Sequence, residues 1–281
     1  MRLIPRLRRS APLQDRSVAS APPVPDEVID DGHQARMSLF EHLDELRVRV
    51  LRGLAALVVA TVLGLFFAGN LFELLLEPYC RVASLQDCRL QTLGPTEAVV
   101  AYFRVALMAG GVVAVPAITY QILMFVIPGL TRRERNYVLM AIPAIAGLFV
   151  VGALFAWFVL MPPALGFLES FQPTIFKPDW TADLYLSFVT ALVFWMGVAF
   201  EAPLVFFVLA LLGVVRAKAL LRNWRIAIVA ASVLAALITP TIDPVNMFLV
   251  MGPLLGLYLV SVSLVAVGTR LGGHRWEDQT A

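Results

Sequence analysis

Residues 185–215 read YLSFVTALVFWMGVAFEAPLVFFVLALLGVV. An apolar run of about 31 residues makes some 46 Å of helix, more than the roughly 30 Å of a bilayer core. It predicts a membrane-spanning helix that tilts, kinks or protrudes. Near its middle stands Glu201, the one residue of the run that carries a charge at neutral pH. A carboxylate at the centre of a spanning helix costs about 2.5–3.5 kcal/mol on insertion scales, so one that is retained faces protein, water or a partner. Pro203 follows in the next turn, removing a backbone donor and freeing the carbonyl of Ala199. The sequence therefore predicts a span that is both polar and interrupted at one level.

The rest of the chain is of the same kind. Of its 281 residues 59% are hydrophobic and 15% charged, more apolar surface than one water-soluble core can cover. Splitting at charge clusters and Gly/Pro breaks gives apolar segments at 50–69, 98–126, 137–161, 185–213, 224–239 and 245–267. The fold class expected is all-α, a polytopic membrane protein of six transmembrane helices with a concave groove holding the buried Glu201. Arginines and lysines crowd the N-terminal tail, the second loop (Arg132, Arg133, Arg135), the fourth (Arg216, Lys218, Arg222, Arg225) and the C-terminus. The opposite side keeps Arg81, Arg89, Arg104 and Lys177. By the positive-inside rule both termini are cytoplasmic in a plasma (inner) membrane. A net charge of +2 gives no argument for nucleic acid, since topology accounts for the basic residues.

Residues 1–37 lack helical periodicity and read as a disordered cytoplasmic tail, 38–267 as the six-helix membrane domain and 268–281 as a second cytoplasmic tail. Ser38-Leu39-Phe40-Glu41 is a capping box that opens a helix, and Leu39, Leu43, Leu46 and Val50 continue it with an apolar stripe. A second box, Thr131-Arg132-Arg133-Glu134, follows Pro128-Gly129 and opens the third span. The fifth segment offers only Ile226–Ile238, about 20 Å of helix, too short to span comfortably. Pro253 weakens the sixth. Cys80 and Cys88 share the first external loop; they either form a short disulfide staple or remain two unpaired cysteines.

No Gly-rich phosphate loop, nucleophile elbow or paired metal ligands appear, so neither an enzyme nor a metal or cofactor is expected. Three non-enzymatic readings are open from the residues alone: a receptor or translocation subunit, an ion-coupled secondary transporter using Glu201, and a structural scaffold. Internal repeats of the kind such transporters carry are not evident.

His42-Leu43-Asp44-Glu45-Leu46-Arg47 is similar to the H-L-x-E-L-R opening of the TatC family, the receptor subunits of the twin-arginine protein translocase. Pro95-Thr96-Glu97-Ala98 with Arg104, then Pro116, Tyr120-Gln121, Phe125, Pro128-Gly129-Leu130 and Glu134, resemble that family's second span and first inner loop. Phe200-Glu201-Ala202-Pro203 resembles its F-E-x-P, and Thr239-Pro240 with Asp243-Pro244 its last external turn. Met247 and Leu259 depart from the residues many relatives carry there. The resemblance covers about residues 38–267. It implies binding of the Arg-Arg signal peptides of folded cargo at the cytoplasmic face and assembly with single-span TatA and TatB type subunits. It also implies more than one copy within the complex, and export driven by the protonmotive force.

Guanidinium pairs are held by fixed carboxylates through charge-assisted hydrogen bonds. Glu45 lies one turn after Glu41, a like-charged arrangement that a bound cation relieves; the alternative is an ordinary Glu45–Arg49 helix pair. Glu134 is equally well explained as a capping residue. The resemblance implies that Glu45 and Glu134 hold the signal arginines, with Arg47, Gln121 and Phe125 beside them. It also implies that Glu201, with Pro203, contacts a partner helix or translocating cargo; the bland reading is a buried glutamic acid bonded to a neighbouring helix. Pro78, Glu97, Arg104 and Asp243 are expected in an external cap, with Glu97 and Arg104 pairing with each other or contacting that cap, snorkelling being the default for Arg104, and Asp243 capping the sixth span.

Overall fold

A computed structural model describes residues 39–83, 89–126, 132–172, 174–175, 180–239 and 243–271. The chain divides into two units, Met1–His42 and Leu43–Ala281. Of the first, only the opening turn of α1 is described; residues 1–37 and 272–281 of the predicted tails, the Ser38 cap, Thr131 and Cys88 lie outside the described residues. Everything below concerns the second unit.

The described elements are helices: α1 (Leu39–Ala83), α2 (Glu97–Val126), α3 (Arg132–Phe155), a π-helical turn (Ala156–Leu160), α4 (Met161–Ser170), α5 (Ala182–Leu211), α6 (Ala217–Arg222), α7 (Trp224–Ile238) and α8 (Pro244–Leu271). Five stretches are long and apolar enough to cross a membrane: Leu43–Arg81, Glu97–Phe125, Leu139–Ser170, Ala182–Leu211 and Pro244–Leu271. The fifth predicted segment is α7, of 15 residues, about 22 Å long. The last helix continues past the predicted boundary at 267, to Leu271.

α5 continues as a helix through Pro203, where an interruption was expected, and α8 continues through Pro253. A proline costs a helix one internal hydrogen bond, and neighbouring helices in an apolar bundle hold the rod together across that gap. The irregularity falls instead at Pro162-Pro163. Neither ring nitrogen can donate to a carbonyl one turn back, and the turn before them widens: the Met161 amide donates to the Ala156 carbonyl, five residues behind.

α5 is the hub. It packs against α2, α3 and α8, while α7 leans on α8. Tyr185, Leu186, Val189, Leu192 and Met196 of α5 are buried with Val105 of α2, Leu160 and Leu165 of the α3–α4 rod, and Val250 of α8. Between α3 and α5 the contact is reciprocal. A Cβ on Gly152 would stand 2.7 Å from the Met196 carbonyl oxygen and from the Phe200 ring, and one on Gly197 would stand 2.7 Å from the Phe149 ring. Each glycine is the socket for the other helix's phenylalanine.

Gly197→Leu is expected to force the two helices apart, at about 1–3 kcal/mol, and to lower the thermal unfolding midpoint in detergent. Gly147→Ala on the same α3, where a Cβ meets nothing within 4 Å, should leave that midpoint unchanged or raise it.

Candidate functional site

Two polar clusters occupy the region where α1 and α2 meet the rest. At one end Glu45 sits on the first turns of α1, and its Oε1 accepts hydrogen bonds from Arg49 Nε at 2.9 Å and from Arg49 Nη2. Both side chains are largely covered, with 18% and 17% of their surface exposed. The Glu45–Arg49 helix pair is therefore formed. Beside it lies a cavity of about 350 Å³ between α1 and α2, walled by Leu46, Val50, Leu54, Ile118 and Ile122, with Arg49, Gln121 and Phe125 on its lining. The Gln121 side-chain oxygen is buried there with no hydrogen-bond partner among the described residues. A buried amide oxygen left unbonded costs about 1–3 kcal/mol. Arg47 is exposed and does not line the cavity. Glu134 lies in the first turn of α3, and its side chain is outside the described residues.

At the other end of α2, Glu97 and Arg104 do not pair with each other, and Arg104 does not simply snorkel. Both engage Asp183, in the first turn of α5. Glu97 Oε1 accepts from the Asp183 amide at 3.0 Å, and its Oε2 from the amides of Leu93 at 2.7 Å and Gly94 at 3.3 Å. Arg104 Nη1 pairs with Asp183 Oδ1 at 2.7 Å and donates to its carbonyl at 2.9 Å. The preceding loop is pinned to the same point, since the Ala182 amide donates to the Gln91 carbonyl at 2.8 Å and Gln91 bridges to Thr181. Tyr79, next to Pro78 on α1, packs on Trp180 and Tyr185, with ring centroids 6.1 and 5.3 Å away, and the Tyr185 hydroxyl donates to the Leu75 carbonyl at 2.6 Å. Cys80 is disulfide-bonded. The sequence reading missed Asp183 and Tyr185; an acid two residues after a Thr cap, where α5 begins, was the available signal. Asp243 behaves as expected: its Oδ1 accepts from the Asn246 amide at 2.7 Å and caps α8.

Glu201 is half-buried on α5 and Pro203 is buried. Phe200 beside it stacks on Phe155, with centroids 5.3 Å apart.

Against this geometry, the family model described as Sec-independent protein translocase protein (TatC) matches residues 41–253. The chain belongs to the TatC family. The Sec-independent protein translocase protein TatC of a Synechocystis strain is 39% identical over 249 residues, covering 89% of this chain and 94% of that protein. The chloroplastic TATC of Oryza sativa subsp. japonica is 36% identical over 245 residues, covering 87% of this chain and 66% of that protein. A crystal structure described as the twin arginine translocase receptor TatC superposes with a TM-score of 0.74 at 35% identity, covering 82% of this chain and all of that one. As a TatC protein with several apolar helices, this chain is a membrane protein and a protein translocase component, working in protein transport.

Glu97→Ala removes the common acceptor of the Leu93, Gly94 and Asp183 amides. Hydrogen exchange at those amides is expected to accelerate, with Glu97→Gln, which keeps one acceptor oxygen, intermediate.

Proposed function

We propose that this chain is the signal receptor of a twin-arginine translocase, crossing the membrane six times with both termini in the cytoplasm. α7 supplies the sixth crossing; its length is short of the bilayer core, and local thinning or cover from neighbours accommodates it. The end bearing Glu45 is the cytoplasmic one, because the basic residues flanking α1 and in the loops after α2 and α5 gather there.

The observation that carries the receptor reading is the Glu45 carboxylate, held at the rim of an apolar cavity that also contains the unbonded oxygen of Gln121. A signal arginine offers five N–H donors in a planar fork, which suits a carboxylate plus an amide oxygen better than a lysine does. Glu45 and Glu134 take the two arginines, the first by exchange with Arg49, while Phe125 and the cavity wall meet the following segment of the signal. Arg47 adjusts the local charge. Glu201, at mid-depth on α5, is the contact for the helix of a single-span TatA or TatB type subunit, and Pro203 sets the shape of the span beside it. Export then draws on the protonmotive force. The relatives named above are translocase proteins, so an ion-coupled carrier centred on Glu201 receives no support from them.

Purified chain should retain a peptide bearing consecutive arginines and lose it when both are changed to lysine. Glu134→Arg should weaken retention at least tenfold, about 1.4 kcal/mol; undiminished binding would sink the assignment. Replacing Glu201 by Ala should leave that binding intact and reduce crosslinking to the single-span partner; unchanged crosslinking and unchanged export together would remove Glu201 from the partner contact.

A further inference from the structure

On the far side of α5 from α3, a second cavity of about 480 Å³ lies between α5, α7 and α8. Its walls are apolar, Ala202 of α5, Ala230 of α7 and Leu254 of α8 among them, and Leu220 of α6 with Asn223 just after it closes one end. That end is fixed: the Tyr258 hydroxyl on α8 donates to the Leu220 carbonyl at 2.6 Å. Along its length the cavity is open to the surroundings, since Ile226 and Leu234, which line it, are 68% and 49% exposed. The closed end is strongly cationic. Lys218, Arg222 and Arg225 each adjoin a lining residue in sequence, Arg216 lies just before them, and no acidic residue occurs between Glu201 and Asp243. The Arg225 guanidinium lies 5.6 Å from the ring centroid of Trp224, itself exposed. An arginine over an exposed tryptophan is an arrangement suited to the headgroup level of a bilayer.

We propose that this crevice holds one acyl chain of an anionic phospholipid, with the headgroup phosphate against the basic α6 corner. The groove is apolar and open along its length, so a flexible acyl chain can enter it from the bilayer. Charge favours an anionic lipid over a zwitterionic one, because each basic residue near the membrane surface contributes to attraction for anionic headgroups. Topology alone also places basic residues on the inner side, but it requires neither a crevice nor retained lipid.

The test is native mass spectrometry of the full purified chain, titrated with phosphatidylglycerol or phosphatidylcholine of identical acyl composition and with glycerol phosphate, which lacks acyl chains. Phosphatidylglycerol should be retained about tenfold better than phosphatidylcholine, and glycerol phosphate not at all. The double variant Arg222→Gln/Arg225→Gln should bring the two lipids to within about twofold. Ala230→Trp, which fills the groove, should reduce retention of both; if that variant unfolds, Ala227→Leu fills the same wall with less bulk. Equal retention of the two lipids, a preference that survives both kinds of variant, or retention of glycerol phosphate would overturn the proposal. So would a photocrosslinker at Ala230 that captures a polypeptide rather than lipid in native membranes. None of these readouts involves signal-peptide binding, so the receptor reading stands or falls separately.

Discussion

Phe149 and Phe200, each seated on a glycine of the opposite helix, hold α3 against α5, and the remaining packing is arranged around that contact. In a lipid bilayer there is no hydrophobic drive to bring two apolar helices together, because lipid tails are as apolar as leucine. Association depends on close van der Waals fit and on polar contacts. Gly152 and Gly197 provide the fit. With α5 fixed on α3, its other faces are free to receive α2 and α8, and its two acidic residues are set in depth: Asp183 at one end and Glu201 near the middle.

Asp183 then ties three chain segments together with one backbone unit and one carboxylate. Glu97 accepts its amide, Arg104 bonds both its side chain and its carbonyl, and the 89–96 loop is drawn in through Gln91 and the Glu97 carboxylate. Where α1, α2 and α5 converge, the aromatic trio Tyr79, Trp180 and Tyr185 covers the junction. Exposed ion pairs are individually weak, but here the charges also satisfy backbone donors at helix starts, groups that would otherwise lack partners. The geometry at this end is therefore defined by hydrogen bonds, whereas the α3–α5 contact is defined by shape.

Much of this was legible in the sequence, for a physical reason in each case. Apolar runs long enough to cross a bilayer declare themselves by composition, and α2, α5 and α8 lie close to the segments read from it. Asp243 was identifiable as a cap because a short polar side chain before Pro244-Val245-Asn246 has little else to bond. Glu45 forms the helix pair with Arg49 that its spacing offered, and that pairing does not decide between its two readings. The misreadings concern features governed by tertiary partners. Pro203 looked like an interruption because local rules count only the lost hydrogen bond, while α5 is braced by its neighbours. The π-helical turn required two consecutive missing donors, at Pro162 and Pro163. Pairing Glu97 with Arg104 was plausible along one helix, but Asp183, distant in sequence, supplies a better partner for each.

The Glu45–Arg49 pair has a further consequence on the receptor reading. The chain carries a guanidinium of its own, covalently tethered one turn from the carboxylate, so the resting site already contains an imitation of its ligand. Selectivity is a difference between affinities, and a resident competitor raises the threshold that any visitor must exceed. A stray lysine or a solitary arginine gains too little to displace Arg49. A segment that engages a second carboxylate and the Gln121 oxygen at the same time gains enough. Discrimination thus lies partly in an intramolecular contest fixed by helical spacing, and it operates before any movement of the protein.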